Sequence, residues 1–425
     1  MTTTLIPNFA PLIGPYLARQ AWAQSALGSF GEASLPAVIV DVEVLRTAHP
    51  GMASVVVESE SCTFHLVLGW RSVTVAPGVL GAQSGAVLGP GQDGTGEVLV
   101  YDALADSELV VALLDAVSGG AEQAGRGRVV QSLVSHSALV YDDRLFMKCY
   151  RVLENRPRPE IEMVRRLHEA GFNNMLTPVA NWQRGGCDLA LVREFVPGAV
   201  EGLALARTSL RDLLARAHTS EDGAAFEDVG RAGGDLAPEM RRLGATTAEM
   251  HLALAEAFGV EHEVVAPGDS TIRVHGDYHL RRVMRTDGGW LVAGFGDDPL
   301  MGASAGAASQ GEGHFGSPLE DLADLCCSLG ITAAEAVSLQ ARNTRPNARH
   351  LAAGWEQHNI DAFVNGYVSH PGIDPLIPPD RDVFDALLRS LMAQRSTRSP
   401  SPQGRRRASL PKPAGTRSSR RRVAP

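Results

Sequence analysis

The sequence predicts an α+β protein, strand-rich as far as Val196 and helical beyond it. Three observations carry that reading. Short apolar runs bounded by Gly, Pro and Ser recur down to Asp188–Val196. Past Pro197-Gly198 the apolar residues return at helical spacing instead. The chain has 425 residues, which exceeds the usual size of about 100–200 residues for one domain. We therefore divide it into an N-terminal cap over 1–98, a small lobe over 99–197, a helical lobe over 198–394 and a basic tail over 395–425.

The cap opens with strand-like runs, Ala37–Val44 and Ala53–Val57, separated by turn residues. Leu104–Val117 places apolar residues at helical spacing behind Asp106, a predicted N-cap. Ser137–Tyr141 and Leu145–Tyr150, joined by Asp142-Asp143-Arg144, predict a hairpin whose second strand carries Lys148. Pro159–Ala170 predicts an amphipathic helix started by its proline, with Ile161, Val164 and Leu167 on one face and Glu162 on the same helix. Asp188–Val196 predicts a further strand that stops at Pro-Gly. Leu243–Phe258 predicts a long helix leading into Val274-His275-Gly276-Asp277-Tyr278-His279, and Leu319 onward is helical again. Thr219–Asp235 and Met301–Gly316, poor in large apolar residues, predict loops.

Composition narrows the class. The five cysteines form no CxxC pair, which argues against a zinc centre or a disulfide framework; the adjacent Cys326 and Cys327 read as helix packing. Neither a signal peptide nor an apolar stretch of membrane-spanning length is evident, so a cytoplasmic protein without a membrane partner is expected. Net charge is −9, although the tail from Arg395 is rich in Arg and has no acid. That tail predicts disorder, and a nucleic-acid partner is not expected.

Phosphoryl transfer needs a cation for the nucleotide phosphates, a carboxylate for the acceptor's proton and oxygen ligands for Mg²⁺. Lys148 on a strand, Glu162 on the next helix, a strand ending at a Pro-Gly hinge, and Asp277 in a loop after a long helix stand in protein-kinase order. Singly, each has a bland reading: a solvated strand lysine, ordinary helix-surface charge beside Arg165 and Arg166, a Gly-Asp turn. Their joint order favours a protein-kinase-like two-lobed fold with a β-rich N-terminal cap and a helical C-lobe.

The stretches Leu243-Gly-Ala-Thr-Thr-Ala-Glu-Met-His-Leu-Ala-Leu254, Arg273–Leu280, Trp290-Leu-Val, Arg193–Gly198, Ser317-Pro-Leu-Glu-Asp321 and Trp355 with Gly366-Tyr367 resemble the maltokinase family, actinobacterial sugar kinases related to aminoglycoside phosphotransferases. The resemblance runs from about Tyr16 to Tyr367. It implies ATP-dependent phosphorylation of maltose, or a related oligosaccharide, to the 1-phosphate within α-glucan, glycogen and trehalose metabolism, with Mg²⁺ as cofactor. It further implies Asp277 as catalytic base, with His275 and His279 shaping its loop. Lys148 would contact phosphate, with Glu162 as its ion-pair partner. Ser135 and Ser137 fall in the phosphate-loop region, and Glu194 through Val196 would offer hinge backbone to adenine.

The departures fall on the metal. Where the family has Gly-Gln, this chain has Arg281-Arg282; where the family has the metal-bridging Asp, this chain has Gly294. Glycine has no ligating side chain and a guanidinium cannot coordinate a metal. Arg282 is thus a candidate to neutralise phosphate itself, with Asp297 a candidate relocated metal ligand. Two classes of function follow: a sugar kinase, or a pseudokinase that keeps the cleft for nucleotide or sugar binding, or for scaffolding beside a glucan-metabolising enzyme.

Overall fold

The computed structural model describes residues 6–28, 33–81, 83–132, 135–154, 158–216, 234–262, 270–295, 315–340 and 348–398. Asp297, residues 301–314 and 399–425, and most of Thr219–Asp235 lie outside them.

The cap starts with helices α1 (Ala10–Leu17) and α2 (Ala21–Leu27). Strands β1 (Val38–Arg46), β2 (Gly51–Ser59) and β3 (Cys62–Ser72) follow, then α3 (Ala76–Leu80), β4 (Val87–Asp93) and β5 (Gly96–Asp102). They form an antiparallel sheet in the order β1-β2-β3-β5-β4. Alternation buries Ala53, Val55 and Val57 together with Phe64, Leu66 and Leu68 against α1. Because β5 runs to Asp102, a boundary drawn after residue 98 cuts a strand.

Helix α4 (Ser107–Val117) is capped as its sequence predicts: the Asp106 carboxylate accepts the Glu108 and Leu109 N–H groups. The next sheet comprises β6 (Gly127–Ser132), β7 (His136–Tyr141), β8 (Leu145–Tyr150), β10 (Pro178–Arg184) and β11 (Cys187–Glu194), in the order β10-β11-β8-β7-β6. The two-residue β9 (Val152–Leu153) leaves β8 and pairs with β3 of the cap. Leu109, Leu113 and Leu114 of α4 lie in one apolar core with Val67 and Tyr101 of the cap and Leu139, Met147 and Ala190 of the small lobe. Cap and small lobe therefore share a core. A buried polar cluster adds to it: Arg151 donates from Nη2 to Asp102 at 2.6 Å, and the Tyr16 hydroxyl donates to the same carboxylate at 2.9 Å.

Helix α5 (Pro159–Glu169) and the short β12 (Val200–Glu201) lead to the helical lobe. That lobe contains α6 (Gly202–Arg216), α7 (Ala237–Phe258), β13 (Val260–His262), β14 (Ser270–Arg273), β15 (Val283–Thr286), β16 (Gly289–Val292), β17 (Phe315–Gly316), α8 (Leu319–Gln340), α9 (Ala348–Val368) and α10 (Arg381–Arg398). Helices α7 and α9 cross with backbones nearly touching. A Cβ at Gly244 would sit 2.0 Å from the Phe363 carbonyl, and one at Gly366 would sit 2.0 Å from that of Arg241. Both positions therefore require glycine.

Two expectations change here. The helical lobe extends to Arg398, and Arg395, assigned above to the tail, ion-pairs with Glu320 and Asp324 of α8. Leu319–Leu339 is also long and apolar enough to cross a membrane, although no such stretch was expected. In the fold it packs with α6, α9 and α10, with Leu322, Ala323, Leu325 and Cys326 fully buried.

Candidate active site

The hairpin that carries Lys148 turns through the three-residue loop Asp142-Asp143-Arg144, with Asp142 and Asp143 at positive φ (+49° and +51°) and the Arg144 N–H bonded to the Tyr141 carbonyl. Strand register places Ala138 opposite Lys148, and Ser137 opposite Cys149. Since side chains alternate across a sheet, Lys148 points to one face, and Ser137 and Cys149 point to the other. Ser137 is consequently buried, its hydroxyl accepting from Arg151 Nε at 3.1 Å. The expectation that Ser137 contacts phosphate is corrected by this alternation. Ser135 is half-buried; its hydroxyl lies 3.2 Å from His136 Nδ1, and its carbonyl accepts the Arg151 N–H.

Lys148 Nζ donates to both oxygens of Glu160, at 2.7 and 2.9 Å. Glu162, expected in that role, instead pairs with Arg166 at 3.3 Å on the exposed side of α5. Two residues along a helix turn the side chain by about 200°, so Glu160 and Glu162 cannot face the same strand. Glu160 shares its face with the buried Met163, Val164 and Leu167. Arg193, at the end of β11 and stacked on Phe146, lies 3.9 Å from the same Glu160 carboxylate. Beyond it the chain is tied down by the Glu194 N–H to the Thr177 carbonyl and the Phe195 N–H to the Arg144 carbonyl. These bonds fix the 194–196 backbone where the lobes join.

The Asp277 loop hangs from a residue that the sequence reading did not single out. Asp321, fully buried on α8, accepts the backbone N–H of His275 at 2.8 Å and of Gly276 at 3.0 Å. His251 Nε2 lies 3.2 Å from Asp321, and its Nδ1 lies 2.9 Å from the Tyr367 hydroxyl. A neutral imidazole that donates from Nε2 and accepts at Nδ1 satisfies both contacts. Burial pushes the Asp321 carboxyl up, but the bonds from His251 and the His275 amide outweigh it and hold its pKa below the ordinary value. Elsewhere on the loop, Thr247 donates to the Leu243 carbonyl, leaving Tyr278 to donate to the Thr247 hydroxyl at 2.8 Å. Glu320 and Asp324 flank Asp321 on the same helix, and of the three only Asp321 is fully buried, where a carboxylate must find donors.

His275 is buried, with Nε2 3.1 Å from the Ala293 carbonyl and Nδ1 accepting the Asp277 N–H at 3.3 Å; burial lowers its pKa. Both ring nitrogens of His275 are therefore engaged with loop backbone. His279 Nε2 lies 3.4 Å from Asp277 Oδ1. The other Asp277 oxygen accepts from Arg282 Nε at 3.1 Å and also from Arg282 Nη2. Burial pushes the Asp277 carboxyl up, but the bonds from His279 and Arg282, with their charges, prevail and hold it at about 2.

Arg282 and Gly294 fit one another. Gly294 is buried at φ +76°, and a Cβ built on it would lie 2.6 Å from Arg282 Nη1, 2.8 Å from Cδ and 3.0 Å from Cζ. The arginine, only 4% exposed, fills the space that a larger residue at 294 would need. This arrangement does not suit Mg²⁺: neither residue is a ligand, and a divalent ion about 4 Å from the guanidinium would be repelled by roughly 8 kcal/mol at an effective dielectric constant of about 20. Among the described residues no group of three or more His, Cys, Asp or Glu is placed to hold a metal. Asp297, the proposed relocated ligand, lies outside them. A small cavity of about 10 Å³, lined by Val164, Leu191, Arg193, Ala293, Gly294 and Phe295, lies beside this corner.

The fold matches known structures. No family model matches the chain. Crystal structures of glucosamine kinase align over 92% of this chain and 94% of theirs: one complex with glucosamine, ADP and inorganic phosphate at 18% identity and a TM-score of 0.55, and a second crystal form at 19% identity and 0.58. The chain therefore has the two-lobed kinase-like fold, with a strand-rich N-terminal half and a helical C-terminal half.

Proposed function

We propose that this protein is a nucleotide-dependent phosphotransferase acting on a sugar hydroxyl. The observation that carries the reading is the Asp277 loop clamped on Asp321, in a fold that also presents a Lys148–Glu160 ion pair from the small lobe. In this reading the adenine of ATP bonds the hinge backbone at Glu194 and Val196, and Lys148 holds the phosphates. Asp277 orients the acceptor hydroxyl and takes its proton as the oxygen bonds to the γ-phosphorus. The bond from that phosphorus to the bridging oxygen breaks, and ADP leaves with the electron pair.

Maltose is the acceptor favoured by the sequence resemblance, with its 1-hydroxyl as nucleophile. Glucosamine, present in one structural neighbour, is the next candidate. The test is a panel of maltose, longer maltooligosaccharides, glucose and glucosamine incubated with γ-labelled ATP and resolved by mass spectrometry. A sugar phosphate whose formation requires both protein and sugar supports the reading. Sugar-independent ATP loss with no phosphorylated sugar overturns it.

A further inference from the structure

We propose that Arg282 is a resident cation that replaces the divalent metal, so that this site binds nucleoside triphosphate in its metal-free form. The inference rests on the nucleotide-binding reading above and adds the charge carrier to it. Four observations bear on it. The residue at the expected metal-bridging position is a buried glycine. The space above that glycine is taken by the Arg282 guanidinium, whose Nη1 is the atom that a Cβ at 294 would meet first. Arg282 is oriented by two of its donors, Nε and Nη2, on one oxygen of Asp277, while Nη1 has no acceptor among the described residues. Finally, Gly294 shares the lining of a small cavity with Arg193 of the small lobe, which places this corner where the two lobes meet.

A guanidinium stays charged at any working pH and offers paired N–H donors that suit phosphate oxygens. It brings its charge already in place, whereas a metal must arrive with the nucleotide. Glycine at 294 and arginine at 282 are thus one device: the first makes room, the second fills it with charge.

The test titrates a fluorescent ATP analogue into the full-length protein, once in EDTA and once in Mg²⁺. The expected result is affinity in EDTA within about threefold of that in Mg²⁺, and a loss of about tenfold or more in EDTA for Arg282→Gln, the scale of one lost charged phosphate contact. Arg282→Lys, which keeps the charge, recovers part of the loss, and circular dichroism confirms that each variant is folded. If Arg282→Gln does not fold, Gly294→Ala, which crowds the guanidinium, must weaken binding in EDTA more than in Mg²⁺. Binding that appears only with Mg²⁺ and is lost in Asp297→Ala overturns the proposal in favour of a metal held elsewhere. Wild-type affinity of Arg282→Gln in EDTA also overturns it. Absence of binding in both buffers overturns the nucleotide reading itself, and this inference with it.

Discussion

Asp321→Asn tests whether the loop that carries Asp277 is held by a buried carboxylate. One Asp321 oxygen accepts the His275 N–H, and the other accepts that of Gly276. An amide keeps a single oxygen, and its NH₂ then meets a backbone N–H donor to donor. Losing a charged acceptor costs about 1.5–3 kcal/mol, and leaving a buried N–H unpaired costs about 1–3 kcal/mol more, together about 2.5–6 kcal/mol. At about 1 °C per kcal/mol for a chain of 425 residues, the melting temperature falls by about 3–6 °C. The assay is differential scanning calorimetry paired with phosphoryl-transfer rates well below the new transition. Because the released loop shifts Asp277, the rate falls by about a hundredfold even while the protein is folded, the scale expected for a displacement of about 1 Å. A variant that melts with the wild type, or melts lower but turns over at the wild-type rate, refutes the role assigned to Asp321.

Three further outcomes follow. Glu160→Gln removes the Glu160 charge from beside Lys148 and weakens ATP binding, whereas Glu162→Gln, which loses only an exposed pair, changes stability and affinity by less than about 0.5–1 kcal/mol; equal effects in paired titrations would contradict the Glu160 assignment. Asp277 has a folded pKa of about 2, below its ordinary value of about 3.9, so its charge contributes stability above pH about 4 and that contribution fades as pH falls toward 2. The pH profile of kcat/KM therefore has no acid limb from Asp277 above pH about 5, and Arg282→Gln moves that limb upward; an acid limb near neutrality in the unaltered protein would contradict this. Arg151→Met leaves Asp102 buried without its cation and destabilises the joint between cap and small lobe by about 3–5 kcal/mol in urea unfolding, while adding Asp102→Leu recovers part of the loss; no loss in the single variant would show that the pair holds nothing.

Much of the fold was readable because its signals are local. The Asp142-Asp143 turn, the Asp106 cap and the Pro159 start each act within a few residues, and each lies where periodicity put it. The order of Lys148, hinge and Asp277 survived for the same reason. Errors arose where a side chain's direction decides. Glu160 and Glu162 both sit in the first turn of one helix, and only the strand packed against it reveals which one faces Lys148. Ser137 was read by its place in a motif, whereas the strand's two-residue period sends it toward Arg151. Asp321 serves residues about 45 positions away in sequence, a tertiary relation that no local pattern encodes. The joint between cap and small lobe was similarly hidden, since β9 is too short to carry a signal and β5 belongs to the sheet before it. At the metal corner the sequence supplied two departures, Arg282 and Gly294; the fold adds that they occupy one space.

The most direct test of the central claim is a single-turnover measurement of γ-phosphoryl transfer from labelled ATP to the best sugar acceptor, comparing the unaltered protein with Asp277→Asn. Asn keeps the side chain's shape but cannot take the acceptor's proton. The account predicts label on the sugar with the unaltered protein, and with Asp277→Asn a rate lower by about 10²–10⁴-fold at little-changed ATP affinity. Equal rates in the two proteins would contradict it.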